Sequence, residues 1–241
     1  MTPPILPSLS LVLPAHNEAE NLAWLLPHAA RVLPTLAERF EVVVVDDGSN
    51  DGSGELARRV AAEHHLDLQV LRHDRKSGYG ATVGDGLRAA RLDYVAFTDA
   101  DGQFELADLG RLIPLLARAD LVGGWRAERQ DAAMRSVVSF VFNTLVLLLY
   151  RLPYRDLDCA MKVMRREVLD TVDLRARSAL LNTELYYKAR RAGFRIAQCP
   201  VPHHPRRAGR RSGARPRAIL RAIKELIVFR WTMRRSLPAR R

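Results

Sequence analysis

Cysteine is nearly absent. Cys159 and Cys199 are the only two in 241 residues, too few for a disulfide framework and expected as reduced thiols in a cytosolic protein. The opening MTPPILPSLS has neither a basic leader nor an apolar core, so no secretory signal is expected. No G-x-x-x-x-G-K-[ST] loop occurs, which excludes a P-loop nucleotidase. The most apolar stretch, SVVSFVFNTLVLLLY over 136–150, is shorter than the roughly 20 residues that cross a bilayer. It reads either as a core helix or as an interfacial one. Internal repeats and low-complexity segments are missing too. With 48% hydrophobic and 27% charged residues, the chain is neither a disordered tail nor a collagen-like repeat.

Acidic residues almost vanish from the C-terminal part. Residues 203–241 hold twelve arginines and Lys224 against the single acid Glu225. That segment alone carries +12 against a formal +11 for the whole chain, so the residues before His203 sum to −1. Such a tail points to phosphates, in a nucleic acid, an anionic membrane or a phosphorylated ligand, unless it is simply a solvated arginine-rich end. The stretch 214–235 has a helical pattern with Ile219, Ile223, Leu226, Ile227 and Trp231 on one face and Arg217, Arg221 and Lys224 nearby. A basic amphipathic helix suits an anionic membrane surface, and packing on the domain is the other reading. The division expected is a domain over 1–213 followed by a basic helix and tail over 214–241.

Within the first part, short apolar runs alternate with helical patterns. Strands are predicted over 9–13, 42–45, 68–71, 94–98 and 121–125, and helices over 22–33, 54–65, 78–91, 105–116 and 180–192. This order predicts an α/β fold, a mostly parallel sheet with helices on both faces. Ligands in such sheets bind beyond the carboxyl ends of the strands. Four polar clusters fall on that edge, at 14–18, 46–49, 75–80 and 99–103.

Asp99-Ala100-Asp101 is the sharpest of them. Two carboxylates one residue apart, just past an apolar strand, offer hard oxygen ligands to Mg²⁺ or Mn²⁺. Such an ion would neutralise charge on a departing diphosphate. Asp46 and Asp47 end a strand, where they could accept hydrogen bonds from a base or ribose, or merely shape the Asp-Gly-Ser turn. Gly78-Tyr79-Gly80, preceded by Arg75 and Lys76, could wrap a phosphate with backbone N–H groups at a helix start, or be no more than a turn. His203 and His204 read as a metal pair or a loop pair.

The ordered set resembles the family-two glycosyltransferases of the GT-A fold, a Rossmann-like architecture. PAHNEAENL (14–22), VVVVDDGSNDGS (42–53), RKSGYGAT (75–82) and DADGQ (99–103) carry that resemblance. GGWRAE (123–128), RDLDCAMKVMRREVL (155–169), NTELYYKARRAGFRI (182–196) and HHPRRAGRRSG (203–213) are similar to polyprenol-phosphate sugar transferases of the dolichyl-phosphate mannose synthase type. The resemblance implies that Pro14, His16 and Glu18 line a nucleotide site, with Val45 and Asp47 at the base. It implies Asp99 and Asp101 as metal ligands, Ala100 and Gln103 beside the diphosphate and sugar, and Lys76 next to them. Arg126 and Arg206 match phosphate-holding arginines, and Arg211 or Ser212 lies near a further basic position. Asp156, Lys162 and Glu184 match the acceptor-side half. Three residues depart from the pattern: His16 for the usual Tyr, Cys159 for Gly, and Ser212 where some relatives carry Lys.

The activity implied is inverting transfer of a sugar, as in a hexosyltransferase, from a nucleotide diphosphate to a polyprenyl phosphate at the cytosolic membrane face. The alternatives are a transferase acting on a hydroxyl, or a non-catalytic membrane or nucleic-acid binder. A pure phosphate binder leaves Asp99 and Asp101 without a purpose, since carboxylates repel phosphates unless a cation intervenes, and nucleic acid is not the expected partner.

Overall fold

Alternate residues of the central strands point into two different cores. Leu11, Leu13, Val42, Val44, Ala96 and Val122 join one, and Val12, Val43, Val45, Val95, Phe97 and Leu121 join the other. A period-two split with apolar residues on both sides is the pattern of a sheet buried on both faces. The computed structural model describes residues 5–127, 150–207 and 228–229. Its seven strands are β1 (Leu6–Ala15), β2 (Ala37–Asp46), β3 (Leu68–Arg72), β4 (Tyr94–Phe97), β5 (Leu121–Arg126), β6 (Lys162–Arg165) and β7 (Ile196–Val201). They lie in the order β3-β2-β1-β4-β6-β5-β7. Helices α1 (Ala19–Val32) and α2 (Ser53–Glu63) cover the first core, where the helical turn α4 (Leu109–Leu112) also packs. The other face carries α3 (Tyr79–Ala89), α5 (Arg166–Thr171) and α6 (Leu180–Arg191).

The sheet is mostly parallel, as the sequence predicts, but two details go beyond or depart from that reading. The sheet is mixed, because β6 inserts antiparallel between β4 and β5. Its four residues are too short to announce themselves, yet the reversal matters. An antiparallel strand starts where its parallel neighbours end, so Lys162 pairs with Phe97 and Gly123 near the carboxyl edge. The helix predicted over 105–116 is instead a 3₁₀ turn, α4 and a second 3₁₀ stretch over Ile113–Ala117. Pro114, which has no N–H to donate, accounts for the break.

Both glycines of β5 admit close neighbours, Gly123 a helix of the adjoining layer and Gly124 the adjacent strand β7. A Cβ on Gly123 would stand 1.7 Å from the Tyr186 hydroxyl of α6, and one on Gly124 2.8 Å from Val201. Among the described residues no helix is long and apolar enough to cross a membrane. Phe229 is buried against Tyr150 and Tyr187, with ring centroids 5.7 and 6.4 Å away. The remainder of the stretches 136–150 and 214–235 lies outside the described residues, as do Arg211 and Ser212.

Candidate active site

The carboxyl ends of β1 and β2 are laced together before any ligand is considered. His16 Nδ1 lies 2.7 Å from the Asp47 carbonyl, and Asn17, in the left-handed region at φ 56°, donates its N–H to Ser49 Oγ at 2.9 Å. Asn tolerates that conformation better than most residues. Asp46 Oδ1 accepts from the Ser49 N–H at 2.9 Å, and Arg72 Nε stands 3.9 Å from its other oxygen. Asp47 accepts from the N–H groups of Ser77 (2.6 Å) and Gly78 (3.0 Å) and faces His73 Nδ1 at 2.8 Å. Burial alone would raise the Asp47 pKa; His73 and those two amides outweigh it and hold the carboxyl below its ordinary range. Gly48, at φ +66°, lets the 75–76 backbone approach, since a Cβ there would lie 2.8 Å from the Arg75 carbonyl carbon.

The Gly-x-Gly loop therefore does not present a free phosphate cradle. Its Gly78 N–H goes to Asp47, and its Gly80 N–H goes to the Arg177 carbonyl at 3.1 Å. Lys76 stands exposed on the same loop. Val45 and Ala100 are enclosed in the two cores, so only their main chain can serve a ligand. Pro14 stays partly open at the end of β1.

Beyond β4 the carboxylates of the DxD pair have different surroundings. Asp101 Oδ1 accepts from the Gln103 N–H at 3.1 Å, and its Oδ2 lies 3.6 Å from Arg206 Nη1. The second Arg206 nitrogen pairs with Glu18, whose other oxygen accepts from Asn21 at 2.5 Å. Arg206 thus bridges carboxylates of the segments that follow β1 and β4, far from it in sequence. Loss of solvation, then the charge of Asp101, pushes Asp99 up to about 7. The segment around Arg206 is strapped over this edge. Gln103 and His204 exchange two hydrogen bonds, of 3.0 and 2.9 Å, and His203 packs edge-on against Phe104 at 5.2 Å. Arg207 lies 3.7 Å above the Trp24 ring of α1, a cation–π contact, and 3.8 Å from Glu105.

On the β6 side, the buried Lys162 ammonium donates to the Cys159 carbonyl and to Asn182 Oδ1 at 3.1 Å, with the Phe97 ring 5.0 Å away. Burial drives its pKa down, while the charges of Cys159, Asp158, Asp156 and Asp99 work to keep it protonated. Tyr79 is within hydrogen-bonding reach of both Asp99 and Asn182, and burial raises its pKa well above the ordinary value. Arg126 grips Asp156 in bidentate fashion, with Nε–Oδ2 at 2.7 Å and Nη2–Oδ1 at 2.6 Å. Glu184 is fully enclosed and accepts from the N–H groups of Arg175 (2.9 Å) and Ala176 (2.7 Å) and from Lys188 Nζ (2.6 Å). It supports the 173–178 loop, and that loop in turn holds Gly80.

Glu18, Asp101, Gln103 and Arg206 thus converge on one edge, with Asp99 and Lys162 beside them, whereas Glu184 serves a loop behind it. Sequence reasoning passed over Tyr79, Asn182 and His73. Tyr79 and Asn182 stand inside the quoted motifs GYG and NTELYY, where flanking glycines and helix pattern drew the attention. His73 carried no signal of its own.

The residues fit a divalent cation. Asp99 is hard to ionise beside Asp101, a cost that a cation relieves, and the Arg206 guanidinium already answers charge at Asp101. Among the described residues no group of three His, Cys, Asp or Glu side chains is arranged to hold a metal. Two carboxylates leave further positions to ligand oxygens, the usual habit of Mg²⁺ at phosphates.

A mixed α/β sheet with paired carboxylates and arginines at one edge defines a GT-A-like fold. Glucosyl-3-phosphoglycerate synthase from Mycobacterium tuberculosis, solved with Mn²⁺, uridine diphosphate and phosphoglyceric acid, matches it with a TM-score of 0.70. That match covers 96% of this chain and 80% of the synthase at 20% identity, and the same enzyme has been solved with Mg²⁺ and uridine diphosphate. The family model "Glycosyl transferase family 2" matches residues 10–173, and the chain belongs to that family. Glycosyltransferase AglD of Haloferax volcanii is 32% identical over 82% of this chain and 33% of its own length. An undecaprenyl-phosphate 4-deoxy-4-formamido-L-arabinose transferase of Aeromonas hydrophila is 32% identical over 68% of this chain and 51% of its own. A dodecaprenyl-phosphate galacturonate synthase of Rhizobium johnstonii is 29% identical over 83% and 60%. The chain thus spans about a third to three fifths of these relatives.

Proposed function

We propose that this family-two glycosyltransferase moves a sugar from a nucleotide diphosphate to a polyprenyl phosphate, with inversion, at an anionic membrane surface facing the cytosol. The observation that carries the reading is the state of the acceptor-side carboxylates. Asp156 is spent on Arg126, and Glu184 on two amides and Lys188. A hydroxyl acceptor needs a base to take its proton; a phosphate monoester, with a second pKa of about 6, arrives already ionised. The names of the bacterial relatives support the same acceptor class.

In this reading an acceptor phosphate oxygen bonds to the anomeric carbon as the bond from that carbon to the diphosphate oxygen breaks. The electron pair leaves with the nucleoside diphosphate. Pro14, His16, Glu18, Asp46, Asp47 and the main chain at Val45 bind the nucleoside, and Lys76, Ala100 and Gln103 flank the diphosphate and sugar. Arg206 and Arg126 offer planar guanidinium forks to phosphate oxygens, aided by Arg211 or Ser212. Asp156 orients Arg126, while Lys162 counters the charge of the DxD pair. When bound, Mg²⁺ or Mn²⁺ at Asp99 and Asp101 supplies positive charge to the departing diphosphate. Residues 1–213 form the catalytic domain and 214–241 the basic membrane-facing part.

The test is a donor screen with UDP-glucose, GDP-mannose and UDP-N-acetylglucosamine, following nucleotide release with a short polyprenyl phosphate or the matching polyprenyl alcohol. Turnover of the phosphate alone is expected. Equal turnover of both would transfer the assignment to a hydroxyl acceptor.

A further inference from the structure

His73 follows β3 and touches neither the DxD pair nor the arginines of the cleft, yet both of its ring nitrogens are engaged. Nδ1 lies 2.8 Å from Asp47 Oδ1, and Nε2 lies 3.0 Å from Asp85 Oδ2 on α3. A neutral imidazole has one N–H and one lone pair, so it can satisfy one carboxylate only while turning a lone pair towards the other. The imidazolium satisfies both. The neighbouring charges are set in pairs of their own. Arg88, one turn along α3, pairs with Asp85 at 2.5 Å. Arg72 on β3 pairs with Glu55 of α2 at 2.6 Å and approaches Asp46 of β2 at 3.9 Å. Asp74, Arg75 and Lys76 of the same loop are exposed, and His16 from β1 turns to the Asp47 carbonyl rather than to its carboxylate.

We propose that His73 is a positioning residue for the donor site: it clamps Asp47 at the end of β2 to Asp85 on α3 and so fixes the 75–80 loop that Asp47 holds. The inference rests on the nucleotide-sugar reading above for its effect on donor affinity, but the clamp itself stands on the geometry. Asp47 is nearly enclosed; its Oδ1 takes the Ser77 amide and His73 Nδ1 together, and its Oδ2 accepts from the Gly78 amide. Without the ring, the Asp47 carboxylate keeps only the two amides as partners, and the Ser77–Gly78 turn loosens. His73 itself touches no reacting group beyond β4, and only Tyr79 at the far end of the loop reaches Asp99, so the effect falls more on donor KM than on kcat.

The experiment uses the full chain. Amide exchange at Ser77 and Gly78, and the KM and kcat for UDP-glucose and GDP-mannose with Mn²⁺ and a polyprenyl phosphate, are measured at one pH in the wild type, His73→Gln and Asp85→Asn. In His73→Gln, Ser77 and Gly78 protection should fall and donor KM should rise, each by about tenfold, the scale of one charge-assisted hydrogen bond, with a smaller change in kcat. Asp85→Asn, at a half-exposed position, guards against a folding defect and should move both readouts in the same direction by less. Ser77 and Gly78 exchange that is equal in wild type and His73→Gln would overturn the clamp. Failure to turn over any donor would count against the proposed function instead, because the exchange measurement decides the clamp without substrate.

Discussion

An amide at position 101 keeps the side chain's volume and its contact with the Gln103 N–H but removes the charge that faces Arg206. Asp101→Asn is therefore expected to melt near the wild-type temperature while transfer falls on the order of 10²–10³, the usual cost of one preorganised electrostatic element. Activity unchanged by this substitution, or by EDTA, would refute the metal assignment. Arg206→Ala should impair transfer strongly, and Arg206→Lys should recover only part, because an ammonium attracts phosphate but lacks the guanidinium fork. Arg240→Ala, far along the tail, should be nearly silent in the same assay. Glu184 behaves oppositely. Its enclosed carboxylate answers Lys188 and two amides, so Glu184→Ala should cost roughly 3–5 kcal/mol of stability in urea denaturation, as for breaking a buried ion pair. A stable but inactive Glu184→Ala protein would show that the residue acts in the reaction and not beneath it.

Two contacts between elements show how much of the architecture depends on close approach. The first turn of α3 lies against the 176–178 backbone so tightly that a Cβ on Gly80 would meet the Ser178 carbonyl at 2.2 Å. Backbone cannot step aside as a side chain does, so Gly80→Ala should destabilise the protein by about 1–3 kcal/mol, read as a lower urea midpoint. At the opposite edge, Glu41 of β2 accepts from Ser10 of β1 at 2.6 Å and from the Arg91 N–H and Nε, each at 2.7 Å. Burial pushes the Glu41 pKa up, but these donors win and hold it below its ordinary 4.5. Its stabilising contribution is complete above that ordinary value and is lost as pH falls through the lower folded one. Glu41→Gln should thus flatten the acid limb of the stability profile measured by denaturation at stepped pH.

The elements that sequence could reveal are those whose pattern is local. Val42 to Val45 reads as a buried strand because four consecutive β-branched residues leave few other structures, and Leu9 to Leu13 as a short apolar run that ends at Pro14. KVMR of β6 and IAQCPV of β7 hold too few residues, or a proline, to stand out, and the sheet around them supplies their pairing. The site divides in the same way. Asp99 and Asp101 were legible as a pair one residue apart, but the Glu18–Arg206 pair spans 188 residues and exists only once the strap has folded over the edge. The Gly78 and Gly80 amides misled because a loop that could receive phosphate can equally well be filled by a carboxylate such as Asp47 and a carbonyl such as Arg177.

Across the whole molecule, charge is divided more sharply than composition suggests. The basic residues after His203 face no matching set of acids in the same segment. Binding to anionic vesicles is expected to gain roughly 1 kcal/mol per basic residue near the surface and to weaken as added salt shortens the Debye length. Co-sedimentation that is as strong on neutral lipid, or unaffected by molar salt, would remove the electrostatic part of that attachment.

The reversed strand has a further consequence, for the nascent chain. β3, β2, β1 and β4 can pair as soon as they leave the ribosome, since each finds its partner among residues already made. β5 cannot follow them. The place beside β4 belongs to β6, so Leu121–Arg126 emerges early and must wait for Lys162–Arg165 before it joins the sheet on that side. Until then its glycine-rich edge is unpaired and open to a wrong strand, the hazard that makes late long-range pairing prone to aggregation. Translation arrested with the chain emerged to just before Lys162 should give a β1–β4 region that resists protease while Leu121–Arg126 is cut. Lengthening the chain until Lys162–Arg165 has cleared the exit tunnel should close that site on the β6 side and set the DxD pair beside its lysine.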